Sequence, residues 1–296
     1  MSIVVAAEKK NIRSSRRQRT LKKEVTYAGI GLHTGEEVIM RFCPAPADTG
    51  IIFQRTDLDD MPVIPANVEY VHSTARSTNI GVGDIIIHTV EHVLAALKAY
   101  DIDNLIIQVS GIEVPVGNGS SDVFVDLIEE SGIDEQDADI AIVAIDEPLF
   151  WSDGEIQLVA IPSDEYRISY TLHYPESPAI GSQFFSAAVE ATTFKDEISS
   201  CRTFAKYEEV SVLMDRGLIK GGSLDNAVIV KDDVVLSKEG LKFPDEMVRH
   251  KILDLIGDLS LVGVPFRAHI IAIRSGHTSN VAFAKILYNY INKENV

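Results

Sequence analysis

The second half of this 296-residue chain repeats the order of elements of the first, and no other feature constrains its fold as much. In the first half, runs rich in β-branched and aromatic residues at Thr20–Tyr27, Val38–Phe42 and Ile51–Arg55 read as strands. A helix is expected at Val90–Leu97, where Val90, Val93, Leu94 and Leu97 share one apolar face. Leu105–Val109 follows as a buried strand and Asp122–Glu130 as a second amphipathic helix. The second half offers strands at Ile140–Ile145, Ile156–Ile161 and Arg167–Leu172, then an irregular stretch. Helices are expected at Tyr207–Arg216, Asp245–Val262 and Ser279–Ile291, with a strand at Ala268–Ile273. Between the halves, the acidic, glycine-bearing stretch Gly132–Asp139 reads as a linker, which divides the chain into residues 20–135 and 136–296. The pattern defines an α+β protein of two similar sub-domains, each a mainly antiparallel sheet with helices. Packing the helices of both halves between the two sheets would bury both apolar faces.

Composition narrows the function. Hydrophobic residues make up 46% and charged residues 24%, the balance of a soluble globular protein. No apolar run approaches the roughly 18–20 residues of a transmembrane segment. Residues 1–7 are apolar but have no basic segment before them, which argues against a secretory signal. Cys43 and Cys201 suggest no disulfide framework and fit a reducing, cytoplasmic setting. The net charge of −17 conceals a basic start, since the first 23 residues hold eight Lys/Arg and one Glu. So acidic a body excludes nucleic acid as a natural partner. Residues 1–19 read as a basic tail, solvated and partly mobile. Peripheral contact with a membrane surface or another anionic partner, or a short transit peptide, are its alternatives.

The chemistry begins at Arg249-His250-Lys251-Ile252-Leu253-Asp254, inside the helix pattern that starts near Pro244. Four residues at about 100° each bring Asp254 to within about 40° of His250. An imidazole and a carboxylate one turn apart can share a small cation, although the same pair also occurs as a plain surface hydrogen bond. His92 is the other histidine on an expected helix and a candidate third ligand. A zinc ion with three protein ligands keeps one position for water and lowers its pKa from about 16 to about 7. Glu91, next to His92, is a candidate general base. His277 sits in a loop between a strand and a helix, and Asp258 lies one turn beyond Asp254, able to orient a histidine.

At these residues the sequence resembles the UDP-3-O-acyl-N-acetylglucosamine deacetylases, zinc amidases of the committed step of lipid A, hence lipopolysaccharide, biosynthesis. The likeness runs from about Thr20 to Tyr290. It is carried by Gly29-Ile-Gly-Leu-His-Thr-Gly35, Thr89-Val-Glu-His92, Glu113–Ser120, Cys201-Arg-Thr-Phe204, Lys220-Gly-Gly-Ser223, Val248-Arg-His-Lys-Ile-Leu-Asp254, Ile256-Gly-Asp258 and Ser275-Gly-His277. Each segment is weak alone and together they are specific. The resemblance implies one zinc held by His92, His250 and Asp254, with ferrous iron as an alternative ion for such a set. It implies Glu91 as base and His277, with Asp258 beside it, as the cation that stabilises the oxyanion and protonates the leaving amine. Thr203 would donate to the oxyanion, Lys251 would contact substrate, and Phe204 would face the sugar. An acyl-chain insert is implied around residues 203–233, its channel wall including Val210, Leu213, Leu218 and Ile219, beside Val212 and Met214. The implied substrate is the UDP-sugar itself, and the implied state is a cytoplasmic monomer.

Two positions depart from the family pattern. Asn118 stands where relatives usually have Asp, and keeps the turn preference without the charge. Arg76 stands where a small or apolar residue is common near this edge of the site; it would either neutralise substrate phosphate or face solvent, and solvent is the expectation. Two other readings compete. Pro115-Val-Gly-Asn-Gly-Ser-Ser121 before a helix looks like a phosphate cradle of a small-molecule kinase, though it lacks a P-loop lysine. A binding module that has lost catalysis is the non-enzyme alternative.

Overall fold

The computed structural model describes residues 12–215 and 217–292. The first strands are β1 (Ile12–Leu21), β2 (Val25–Ile30), β3 (Glu37–Pro44), β4 (Ile51–Arg55) and β5 (Val63–Pro65). A small meander of β6 (Val71–Ser73), β7 (Asn79–Val82) and β8 (Ile85–Ile87) precedes α1 (Glu91–Ala99), β9 (Leu105–Val109) and α2 (Asp122–Ser131). Then come β10 (Ile133–Ala144), β11 (Leu149–Asp153), β12 (Ile156–Ile161), β13 (Tyr166–Tyr174) and β14 (Gly181–Ala188). Helix α3 (Ala191–Glu197) leads into β15 (Phe204–Lys206), α4 (Tyr207–Asp215), β16 (Val228–Lys231) and β17 (Val234–Leu236). The last described elements are α5 (Glu246–Ser260), β18 (Phe266–Ile273) and α6 (His277–Asn292).

The architecture is α+β, as the sequence pattern implies. One sheet has the order β2-β3-β9-β4-β5, and a seven-stranded sheet is built on β1-β10-β18-β12-β11, with β13 beside β18 and β14 beyond it. Both are mainly antiparallel, with parallel pairs at β4–β9, β10–β18 and β13–β18. Strict alternation along β18 buries Phe266, Ala268, Ile270 and Ala272, the period-two pattern of a strand with one face on a core. Helix α2 packs on β2, α5 on β13 and β14, and α6 on β11 and β12, while α1 meets α5 in the middle. The helices therefore lie between the sheets. Their closest approach depends on Gly257, because a Cβ there would sit 2.0 Å from the carbonyl oxygen of Glu91. Helix α5 is buried along almost its whole length, so each polar group on it needs a partner.

Two sequence expectations fail together, and for one reason. Residues 12–19 of the expected basic tail form β1, and the expected linker Gly132–Asp139 supplies most of its antiparallel partner β10. The charges that made both look solvated neutralise each other. Arg17 pairs with Asp137 at 3.0 Å and Arg19 with Glu135 at 3.1 Å, opposite charges across neighbouring strands. Arg16 reaches Asp103 at 2.6 Å and Asp101 at 3.2 Å. This basic segment thus meets acids of its own chain. Residues 1–11 lie outside the described residues. The stretch expected to be irregular contains β14 and α3, whose small and polar residues gave no apolar period.

Residues 204–236 form a separate three-stranded sheet, β15-β16-β17, with α4 against it. This insert is seated on the loop after β2. The Gly221 amide donates to the Leu32 carbonyl at 3.0 Å, and a Cβ on Gly221 would lie 2.2 Å from the Gly31 oxygen.

Candidate active site

The crossing of α1 and α5 assembles the chemistry. The first turn of α1 supplies Glu91 and His92, one face of α5 supplies His250, Asp254 and Asp258, and α6 starts with His277. Of these, all but His277 are at most 5% exposed. His92, His250 and Asp254 bring three donor atoms within 4.8 Å of one another. Asp254 Oδ1 lies 3.3 Å from His250 Nε2 and 3.5 Å from His92 Nε2, yet has no hydrogen-bond partner among the described residues.

These residues fit a metal ion. A buried carboxylate oxygen without a partner is costly, and a cation between the three donors removes that cost. His250 Nδ1 is 3.0 Å from the Cys201 carbonyl, which can only accept, so the proton sits on Nδ1 and the Nε2 lone pair faces the pocket. Burial lowers His250 to about 4 against the pull of Asp254, keeping the imidazole neutral as a ligand must be. For Asp254 burial opposes ionisation, but His250 and Lys251 outweigh it and hold the carboxyl well below its ordinary range.

Beside this pocket lies a carboxylate–imidazole pair. Glu91 accepts the Thr78 amide at 3.0 Å on Oε2 and presents Oε1 3.8 Å from His277 Nε2. Burial raises the Glu91 carboxyl, while His277 and His92 partly counter it. His277 Nδ1 donates to Asp258 Oδ2 at 3.0 Å, where Asn280 Nδ2 also donates at 2.8 Å, and the Thr78 hydroxyl donates to Asp258 Oδ1. Burial alone would lower His277, but Asp258, Glu91 and Asp254 raise it to about 9. One group is thus a carboxyl with a raised pKa and the other an imidazolium at neutral pH, a division that would suit acid–base catalysis.

A cavity of about 360 Å³ opens over these groups. Thr203, Phe204 and Lys251 line it, so the structure gathers the implied oxyanion donor, sugar face and substrate contact in one place. Lys251 has a second engagement, because its Nζ donates to Asp254 Oδ2 at 2.6 Å. Of the expected channel residues, Val210 and Ile219 line the cavity, joined by Met214. Leu218 is 40% exposed and does not line it, since Ile219 at φ 50 turns the chain there. The Leu213 side chain lies outside those described. Leu32, Leu224, Ala227 and Ile229 add to the apolar lining. They come from two loops and a strand, which no single helical period could disclose.

Three further residues had no role on sequence grounds. Glu113, buried, accepts from the His33 and Thr34 amides and from the Thr34 and Thr89 hydroxyls, so it ties the loop under the insert to Thr89, two residues before α1. It belonged to a recognisable segment, but its partners are fixed only by the fold. Thr78 and Asn280 carry no sequence signal, because distant parts of the chain bring them to Asp258. Arg76 is exposed, as expected, and at the rim of the cavity it pairs with Glu209 at 2.5 Å.

The loop at 115–121 is not a phosphate cradle. Its Ser121 amide donates to Ser199, its Gly119 amide to Val116, and both serine side chains are buried. Asn118 Oδ1 accepts from Ser120 while its Nδ2 donates to Asp122 at 2.8 Å, a bond that an aspartate could not make.

Fold and site together define a class: an α+β protein with a buried His2Asp cluster that could hold a metal ion and an adjoining carboxylate–imidazole pair, built where α1 and α5 cross. Within that class the family is clear. The sequence model of the UDP-3-O-acyl N-acetylglycosamine deacetylases matches residues 18–289, and the chain belongs to this family. It is 52% identical over 271 residues to the UDP-3-O-acyl-N-acetylglucosamine deacetylase of Chlamydia pneumoniae, covering 91% of this chain and 96% of that one. It is 47% identical over 279 residues to the enzyme of the same name from Chlamydia trachomatis serovar L2, covering 94% and 97%. With that of Chlamydia muridarum it shares 49% over 273 residues, covering 92% and 95%.

Proposed function

We propose that the protein hydrolyses the N-acetyl amide of UDP-3-O-acyl-N-acetylglucosamine, releasing acetate and the free 2-amine, with one zinc ion held by His92, His250 and Asp254. The observation that carries this reading is the orphaned, buried Asp254 oxygen between two imidazole Nε2 atoms, next to a carboxylate–imidazole pair. A metal bound there supplies a Lewis acid for the amide carbonyl and makes water acidic enough to react at neutral pH. Glu91 takes the proton from the attacking water. His277, positively charged and oriented by Asp258, opposes the developing oxyanion charge and gives its proton to the leaving amine nitrogen. The Thr203 hydroxyl donates to the same oxyanion, and Phe204 offers its ring to the sugar.

The rest of the substrate fits the surroundings by chemistry. The apolar wall of Val210, Met214, Ile219, Leu224 and Ile229 suits an acyl chain. A second cleft of about 670 Å³ meets the first at Tyr174, Lys251 and His277, and carries the Trp151 ring and the Arg274 guanidinium. An aromatic face and a cation suit a uridine diphosphate. On this reading the protein serves lipid A synthesis as a cytoplasmic monomer, and ferrous iron is the competing ion for the same donors. No helix among the described residues is long and apolar enough to cross a membrane.

The test joins metal analysis to acetate release from UDP-3-O-acyl-N-acetylglucosamine. About one zinc per chain, turnover, and loss of turnover on chelation are expected. A folded, zinc-loaded protein that releases no acetate would end the proposal. Thermal stabilisation by a nucleoside triphosphate in protein without zinc would instead favour the kinase alternative.

A further inference from the structure

Among the described residues, Arg76 and Glu209 are the only two that line both the main cavity and an outer cleft of about 480 Å³ on its flank. Their 2.5 Å ion pair is therefore the partition between the two spaces. The outer cleft is otherwise lined by Glu176, Ser177, Lys206, Glu208, Val212, Val230 and Asp232, all outside the catalytic group.

The two ends of the partition are anchored very differently. Arg76 sits at φ 72 in the turn between β6 and β7, a conformation that a non-glycine residue keeps only when its surroundings hold it there. Those surroundings are the catalytic ones. Thr78, two residues on, donates its amide to Glu91 and its hydroxyl to Asp258, while Ser77 Oγ donates to Asn79 Oδ1. Glu209 lies in the first turn of α4, and the next residue, Val210, faces the cavity. Pulling Glu209 onto Arg76 thus sets the distance between the helix that walls the apolar cavity and the turn that holds the base. The pair is also openable: its side chains are 51% and 34% exposed, and an ion pair so placed shifts an equilibrium by no more than about fivefold.

We propose that Arg76 and Glu209 are specificity-determining residues, whose ion pair closes the flank of the acyl-chain cavity and fixes α4 as its wall. With the pair formed, the chain has one apolar path; with it broken, the cavity joins the outer cleft and discriminates less between chains. This rests on the proposed deacetylase reading for the identity of the chain, but closure of the flank does not.

The experiment compares Arg76→Ala, Glu209→Ala and the charge-exchanged double variant Arg76→Glu/Glu209→Arg with the parent protein, all zinc-loaded. Acetate release is measured across UDP-N-acetylglucosamine substrates carrying short, medium and long 3-O-acyl chains. Each single variant is expected to flatten the chain-length dependence of KM by about two- to fivefold, with much smaller changes in kcat, and the exchanged pair to recover most of it. In parallel, amide hydrogen exchange in the ligand-free proteins should quicken across α4 in the single variants and slow again in the exchanged pair. Unchanged chain-length preference in the single variants, or an exchanged pair no better than they are, overturns the proposal. If the parent releases no acetate, the deacetylase reading fails, and α4 exchange alone decides whether the pair is a closure.

Discussion

The floor of the cavity and its wall are built on opposite principles. On the floor, Glu91, His92, His250, Asp254 and Asp258 are buried, and Glu91, His250 and Asp258 each have a backbone or side-chain partner that fixes their direction. In the insert that forms the wall, Val212 is 48% exposed, Met214 64% and Val234 56%, and the ties to the rest of the chain include a half-exposed ion pair. Bond chemistry tolerates little displacement, so its groups sit on helices locked by close packing. Holding a chain of many conformers needs only apolar surface that can adjust, and such surface comes from the less stable end of a structure. Substitutions on the floor should therefore act on kcat and on folding, and substitutions in the wall on KM.

The largest break in that contrast is Glu91→Gln. The amide can still accept the Thr78 N–H but cannot take a proton, so kcat should fall about 10²- to 10⁴-fold with zinc content unchanged. Acetate release beside metal analysis reads both, and a loss below tenfold would remove Glu91 as the base.

Next in size is the pH response of the floor. Burial raises Glu91 above the ordinary carboxylate range, so the acidic limb of kcat should lie above pH 4.5. His277 at about 9 sets the basic limb, since only its protonated form can act as the acid. The linked stability has the same sign. A pKa raised above the unfolded value of about 6.5 stabilises fully below that pH, and the contribution is lost as pH rises through about 9. His277→Gln should abolish the basic limb of the rate and flatten denaturation midpoints across pH 6.5–9. A basic limb that survives the substitution would assign it to another group.

Gly257→Ala tests the packing beneath that chemistry. The new methyl would meet the Glu91 carbonyl at 2.0 Å, so α1 and α5 must separate. Overpacking of this kind costs about 1–3 kcal/mol, and the shift falls on the residue that bears the base. A lowered melting temperature together with reduced kcat is expected. Stability lost with kcat intact would show that Glu91 does not depend on this approach.

How legible each region was in the sequence follows from the same contrast. The long helices and the strands at Ile51–Arg55, Leu105–Val109 and Ile156–Ile161 announced themselves through apolar period, because one face of each meets the core. Helical spacing joined His250 to Asp254 but could not choose among the other histidines. His92 and His277 are brought in by α1 and α6, and only the family likeness selected them. β1 and β10 hid their pairing in charge, which reads as solvation until both strands are seen side by side. Glu113 and Thr78 were invisible as organisers, because a hydrogen bond across many tens of residues leaves no local pattern. In the insert, the cavity-facing residues alternate between helix, turn and strand, so Leu218 looked as eligible as Ile219.

The smallest expected effect sharpens the contrast most. Met214 lines the cavity yet is 64% exposed, so its side chain has little packing to lose. Met214→Ala should change stability by no more than about 0.5 kcal/mol, the usual range for a surface position. The same truncation removes a flexible apolar surface from the wall, and KM for a long-chain substrate should rise while that for a short chain hardly moves. kcat should stay near the parent value, because Met214 sits on α4 whereas Glu91 and His277 sit on α1 and α6. If Met214→Ala lowered kcat for both chain lengths, wall and floor would be mechanically coupled, and the half-exposed pair Arg76–Glu209, whose turn holds Glu91 through Thr78, would be the route through which that coupling runs.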